Sequence, residues 1–163
     1  MKKSIYLGLV AATAVFAGCV TSCPPPPQPS KPVVFVGSGN DSSVSEYICG
    51  QVAGNAAKEG STFVVRDENA PGVGTFVWFD FSAYEKAKLD EWCVYTGVLS
   101  MKAVVRNSVA GDVLLAEEKV VLHGPRRLGK DKAIGALMEP LCEAADKWYK
   151  ANVTPANIEK ASK

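Results

Sequence analysis

His123 is the single histidine of the chain. It heads the run His123-Gly124-Pro125-Arg126-Arg127, with Lys130 and Lys132 close behind. An imidazole can serve as a general base near neutral pH, but no candidate nucleophile is tied to His123 by sequence. The surrounding cations offer a second chemistry, contact with lipid headgroups or an acidic partner. A plain solvated loop is the third reading. Gly37-Ser38-Gly39 stands between an apolar run and a helix start, where a phosphate can bind. It lacks the third glycine of a dinucleotide fingerprint and has no P-loop lysine, so a turn is the better reading. Trp78, Trp92 and Trp148 can line a pocket or fill a core. The five cysteines include no C-x-x-C pair and meet one histidine, so no metal site is read. No cofactor is implied.

The segment that carries most information precedes all of these. Lys2 and Lys3 give a positive start, Ile5 through Phe16 are mostly apolar, and Ala17-Gly18 precede Cys19. That order is a secretory signal, too short to span a bilayer. Its end, Phe16-Ala17-Gly18-Cys19, resembles the lipobox of bacterial lipoproteins. The resemblance implies removal of residues 1–18 and a diacylglycerol group on the Cys19 sulfur, with acyl chains as the membrane anchor. Val20 follows the cysteine where an aspartate resembles an inner-membrane retention signal. The expected address is therefore the periplasmic face of the outer membrane.

Residues 19–32 read as a tether. Pro24-Pro25-Pro26-Pro27, Pro29 and Pro32 favour extended polyproline II, which gives a reach of roughly 40 Å. Losing Lys2 and Lys3 changes 18 basic against 17 acidic residues to 16 against 17. Without a basic excess, nucleic acid is not an expected partner. Cys23 lies in the tether, which leaves Cys49, Cys93 and Cys142 as buried thiols or as disulfide candidates in an oxidising compartment.

Residues 33–152 read as one domain, and 153–163 as a C-terminal tail. Val33-Val34-Phe35-Val36 suits a central strand buried on both faces. Ser43-Val44-Ser45-Glu46 fits a capping box, and Val44, Ile48, Val52 and Ala56 follow at helical spacing up to Gly60. Gly50 and Gly54 weaken that helix by up to about 1 kcal/mol each, which suggests close approach of a neighbour. Phe63-Val64-Val65 reads as a strand, and Thr75 to Phe79 as extended. Ser82 to Trp92 reads as a short helix opened by Ser82 and Glu85. Tyr95–Arg106 and Val113–Leu122 make a hairpin, with Glu117-Glu118-Lys119 marking a bulge or an exposed edge. The last helix has the stripe Ile134, Leu137, Met138, Leu141, Ala145 and Trp148, and Pro140 should kink or divide it. The fold expected is α/β of the α+β type, a mixed β-sheet with helices mainly on one face. Its order is β-α-β-(short α)-β-β-α.

The opening strand, Val44-Ser45-Glu46-Tyr47-Ile48, Gly60, Phe63-Val64-Val65-Arg66-Asp67, Tyr95-Thr96-Gly97-Val98-Leu99 and Gly111-Asp112-Val113-Leu114 together resemble a lipoprotein-associated fold. Its members include the TolB amino-terminal domain, CsgG and LpoB. The likeness spans about residues 33 to 150 and rests on strand and turn chemistry. No propeller, barrel-forming segments or long disordered arm accompanies it. Two functional classes follow. One is a noncatalytic, membrane-anchored interaction or accessory module with an envelope protein partner, its surface formed by His123, Arg126, Arg127, Lys130 and Lys132. The other is a small-ligand binder or enzyme of the envelope.

Overall fold

A computed structural model describes residues 32–60, 63–65, 74–107 and 111–163. The signal, Cys19 and the tether up to residue 31 lie outside the described residues. So do Cys23 and residues 66–73.

Chain order is β1 (Val33–Ser38), α1 (Ser42–Lys58), β2 (Phe63–Val65), β3 (Gly74–Leu89), β4 (Trp92–Asn107), β5 (Gly111–His123), β6 (Arg127–Leu128), α2 (Lys130–Asn152) and α3 (Pro155–Ala161). The strands form a mixed sheet in the order β2-β1-β3-β4-β5, with β6 paired to β4. β1 lies parallel to both β2 and β3, while β3, β4 and β5 form an antiparallel meander. β1 is therefore interior, and Val33, Val34 and Phe35 are all buried.

One face of the sheet carries the core. Val33 and Phe35 of β1, Val77, Phe79 and Phe81 of β3, and Leu99, Met101 and Ala103 of β4 alternate along their strands toward α1 and α2. From α1 come Ile48, Val52 and Ala56, and from α2 come Ile134, Leu137, Leu141, Ala145 and Trp148. Phe79 meets Trp148 edge-on with ring centroids 6.2 Å apart, a favoured aromatic geometry. Trp148 is thus a core residue.

Several expectations meet a different outcome. Ser82 to Trp92 is not a helix. β3 continues through it to Leu89, and Asp90-Glu91 turn the chain into β4 at Trp92. Ala83, Glu85, Lys86, Ala87, Lys88 and Leu89 suit a helix by propensity, but pairing from Ser82↔Val98 to Leu89↔Trp92 overrides a weak preference. Asp90 supplies the positive φ of 53° that a two-residue hairpin turn needs. Helix α1 starts at Ser42 with Asp41 as its N-cap, so Ser43 lies inside it and donates to the Asp41 carboxylate at 2.8 Å. A Cβ added at Gly50 or Gly54 meets nothing within 4 Å, so neither glycine marks a close approach. Pro140 does not divide α2, which runs unbroken for 23 residues with the proline exposed. The segment beyond residue 152 carries α3, capped by Thr154 and packed onto the core through Ile158.

Other features fall as the residues suggest. Gly60 ends α1 with φ +82°. β5 is an edge strand with a register shift opposite Ala103 and Val104, and Glu117, Glu118 and Lys119 are exposed on it.

Candidate functional site

The expected surface lies where the chain leaves β5 and enters α2. His123 ends β5, with its Nδ1 3.0 Å from the Thr96 hydroxyl of β4. Arg126 lies with its guanidinium carbon 5.7 Å from the centre of the Trp92 ring. Arg127 pairs across the ladder with Cys93, one place from Trp92 and so on the opposite face. Lys130 and Lys132 are exposed in the first turn of α2. The sheet therefore splits the group. His123 and Arg126 stand on the face away from the helices, and Arg127 points to the other side.

His123 has no acid–base relay around it among the described residues. Its recorded contact is the neutral hydroxyl of Thr96, and the ring is exposed. A base needs a positioned substrate or nucleophile within hydrogen-bond reach. No group of three or more His, Cys, Asp or Glu side chains able to hold a metal occurs among the described residues. Cys49, Cys93 and Cys142 form no disulfide with one another, Cys49 and Cys93 being buried and Cys142 half-buried with its pKa raised by burial.

Gly37 and Ser38 are the last residues of β1, paired with Phe79 and Asp80, and the turn expected over Gly37–Asp41 begins only at Gly39, where it is spliced onto β3. Asn40 accepts from the Ala83 amide at 3.0 Å and donates back to the Ala83 carbonyl at 3.3 Å. The Asp41 amide donates to the Phe81 carbonyl. Gly39 has φ +109°, and a Cβ there would fall 2.0 Å from the Phe81 carbonyl oxygen. These glycines serve close packing of backbone on backbone.

The remaining feature escaped the sequence reading. The sheet face opposite α1 and α2 has no described helix over it, and large apolar side chains stand on it. Tyr84, Leu89, Trp92, Leu114, Val121 and Leu128 are six of the seven exposed large hydrophobics among the described residues. Their placement follows from the register. Tyr84 pairs with Thr96, Leu89 with Trp92, Val121 with Val98 and Leu114 with Val104, all on the face that Trp78 and Lys102 share. A shallow trough of about 440 Å³ runs along the same face past Ser38, Trp78, Asp80, Ser100, Lys102 and Arg106. Arg106 is bound to Asp112 at 3.1 Å and lies 4.4 Å over the Phe76 ring. Its charge is committed within the trough rather than aimed at a ligand. Alternation across β3 and β4 was the available signal, and it was lost where Ser82–Trp92 reads as helix.

No family model and no curated protein matches the chain. Solved structures do. Rare lipoprotein B of Shewanella oneidensis superposes with a TM-score of 0.41 at 10% identity, covering 74% of this chain and 92% of that one. A neuraminyllactose-binding hemagglutinin homolog of Helicobacter pylori gives 0.48 at 6% identity, covering 82% and 90%. A minor lipoprotein of Acinetobacter baumannii gives 0.39 at 5%, covering 74% and 87%. Likenesses this distant bring no function with them.

Proposed function

We propose that this chain is a lipid-anchored, noncatalytic interaction module of the bacterial cell envelope, held by Cys19 on the periplasmic face of the outer membrane. The observation that carries the reading is the tip end of the sheet face opposite α1 and α2, where Tyr84, Leu89, Trp92 and Leu128 are exposed, while Val34, Phe76 and Val104 at the other end of that face are buried. Leu89, Trp92 and Leu128 share one row there, and soluble domains rarely leave such a group in water unless a partner covers it. The contrast with the catalytic reading is chemical. His123 meets a hydroxyl, and the cations around it are spread over two faces. No helix among the described residues is long and apolar enough to cross a membrane. The lipid on Cys19 is then the anchor, at about 0.8 kcal/mol per buried methylene.

Metabolic labelling with an alkyne fatty acid tests the anchor: wild type is labelled and Cys19→Ser is not. Equal labelling of the two would remove it. Crosslinking from intact envelopes tests the module. Adducts formed through positions on the uncovered face support it, and adducts confined to the helical face would not.

A further inference from the structure

The uncovered face has a lateral symmetry. Residues paired directly across antiparallel strands put their side chains on the same face. Rows across β3, β4 and β5 therefore read Asp80–Ser100–Lys119 and Tyr84–Thr96–His123. At the tip the row across β3, β4 and β6 is Leu89–Trp92–Leu128. These three rows have β4 in the middle and complementary flanks, an acid against a lysine, a phenol against an imidazole and a leucine against a leucine, while the rows Ser82–Val98–Val121 and Trp78–Lys102–Glu117 on the same face do not.

We infer that this face is a two-fold interface with a second copy of the chain. An axis running along β4 carries β3 of one copy over the β5 and β6 side of the other. Asp80 then meets Lys119 of the second copy, Tyr84 meets His123, and Trp92 meets itself near the axis. An isologous interface requires such self-complementarity. Among the described residues neither Asp80 nor Lys119 has an ion-pair partner within the chain, and both are exposed. Lys102 also lies in the middle file, and Glu117 stands beside it in the ladder, so the two ammonium groups near the axis are each offset by a carboxylate.

Charge and tether favour this occupant over a foreign surface. Lys102, Arg106, Lys119 and Arg126 are nearly balanced on this face by Asp80, Asp112 and Glu117, so it offers little net field to a strongly acidic or basic partner. The tether joins the domain at Pro32, whose carbonyl accepts the Thr75 amide at 3.1 Å. That is the end of β3 away from the Leu89 tip. An axis along the strands brings both tethers out at one end, toward one membrane. An axis across the strands would send them out at opposite ends. The strip from Trp78 to Leu89 over three strands covers roughly 500 Å² a side, small for a stable dimer. Co-anchoring in one membrane compensates, because linked partners see each other at an effective concentration of order millimolar. The inference rests on the anchored-module reading for that confinement alone.

The test uses the full chain in its own membrane. Ser100→Cys near the axis should give a crosslinked species of twice the chain mass, and Tyr47→Cys on the outside of α1 should not. Asp80→Lys in the Ser100→Cys chain should cut the yield about tenfold, Lys119→Asp likewise, and the two together should restore it. No crosslink at Ser100→Cys, a crosslink only to a different protein, or a double exchange that fails to rescue would overturn the dimer. Fractionation of the same cells separates the two readings. Membrane-bound chain without crosslink ends the dimer and leaves the anchor, whereas chain found free in the periplasm ends the anchor. A concentrated sample of the Cys19→Ser chain should then still crosslink through Ser100→Cys if the interface is real.

Discussion

The hydroxyl of Ser45, in the first turns of α1, accepts the backbone N–H of Phe81 in β3 at 3.0 Å. Phe81 is the first β3 residue past the end of the β1 ladder, which stops at Ser38↔Asp80. Its amide has lost its strand partner where the core is closed, since both Ser45 and Phe81 are fully buried. The same hydroxyl donates to the Ser38 carbonyl. One side chain thus terminates β1, holds β3 and fixes the entry of α1.

Ser45→Ala should accordingly cost about 1–3 kcal/mol, because it strands a buried amide without a partner. Ser43→Ala should cost less, since Ser43 is exposed and bonds only the Asp41 carboxylate. Urea denaturation of the two variants makes the comparison. Equal midpoints would show that the Phe81 amide finds another acceptor.

The helix stripes, the opening strand and the β4–β5 hairpin were legible because their apolar periods are long and regular. Ile134, Leu137, Leu141, Ala145 and Trp148 mark a face whatever packs against it. Asp90-Glu91 is a turn without glycine, and the residues before it favour a helix locally. Only long-range pairing with β4 decides the matter. Losing β3's second half also lost the uncovered face, since Tyr84 and Leu89 gain meaning only beside Thr96 and Trp92. Arg126 and Arg127 are adjacent in sequence but separated by the sheet. A strand sends neighbours to opposite sides.

Glycine substitutions should divide by sign. Gly50→Ala and Gly54→Ala place a methyl in open space within α1 and should each stabilise the fold by up to about 1 kcal/mol. Gly39→Ala should destabilise by more than that, since it combines a positive φ with backbone in the way. Thermal melts give the order. A Gly39→Ala protein as stable as wild type would mean that the β1–α1 turn can shift away from β3.

Thr75 is fully buried, and its hydroxyl has no partner among the described groups. Its ladder neighbours on the core side are Val33 and Val105. Thr75→Val keeps the shape and removes the unpaired hydroxyl, so it should raise stability by about 1–3 kcal/mol. Thr75→Ser keeps the hydroxyl and loses a methyl, and should lower stability. A loss in the valine variant would reveal a partner for the hydroxyl in the folded protein.

The two arginines should part company in function. Arg126→Glu exchanges a cation over the Trp92 ring for an anion and should reduce crosslinking through the uncovered face. Arg127→Glu acts on the other side of the sheet and should leave that yield near wild type. His123→Ala should leave the fold intact, and any loss should appear in association rather than in a chemical step. Equal effects from both arginine reversals would point to general electrostatics, which added salt would suppress.

Alkaline pH should weaken the fold through two identified groups. Burial, then the hydrogen bond to the Glu85 carboxylate at 3.2 Å, raises the Tyr95 phenol above its ordinary 10.0. Lys150 is raised above 10.5, first by its bond to Glu59 at 2.9 Å and then by Asp146 at 3.1 Å. In both cases the folded state favours the protonated form. The stabilising contribution is fully present below the ordinary value and is lost as pH rises through the raised one. Urea midpoints should therefore hold steady from these groups up to about pH 10 and fall above it. Tyr95→Phe should flatten part of that fall, because the variant has no phenol to ionise in the closed position. Glu85→Gln should move the remaining tyrosine step to lower pH in an ultraviolet titration. An alkaline limb unchanged in Tyr95→Phe would assign the loss to Lys150 and the Cys142 thiol, and Glu59→Gln would then be the variant that shifts the lysine part.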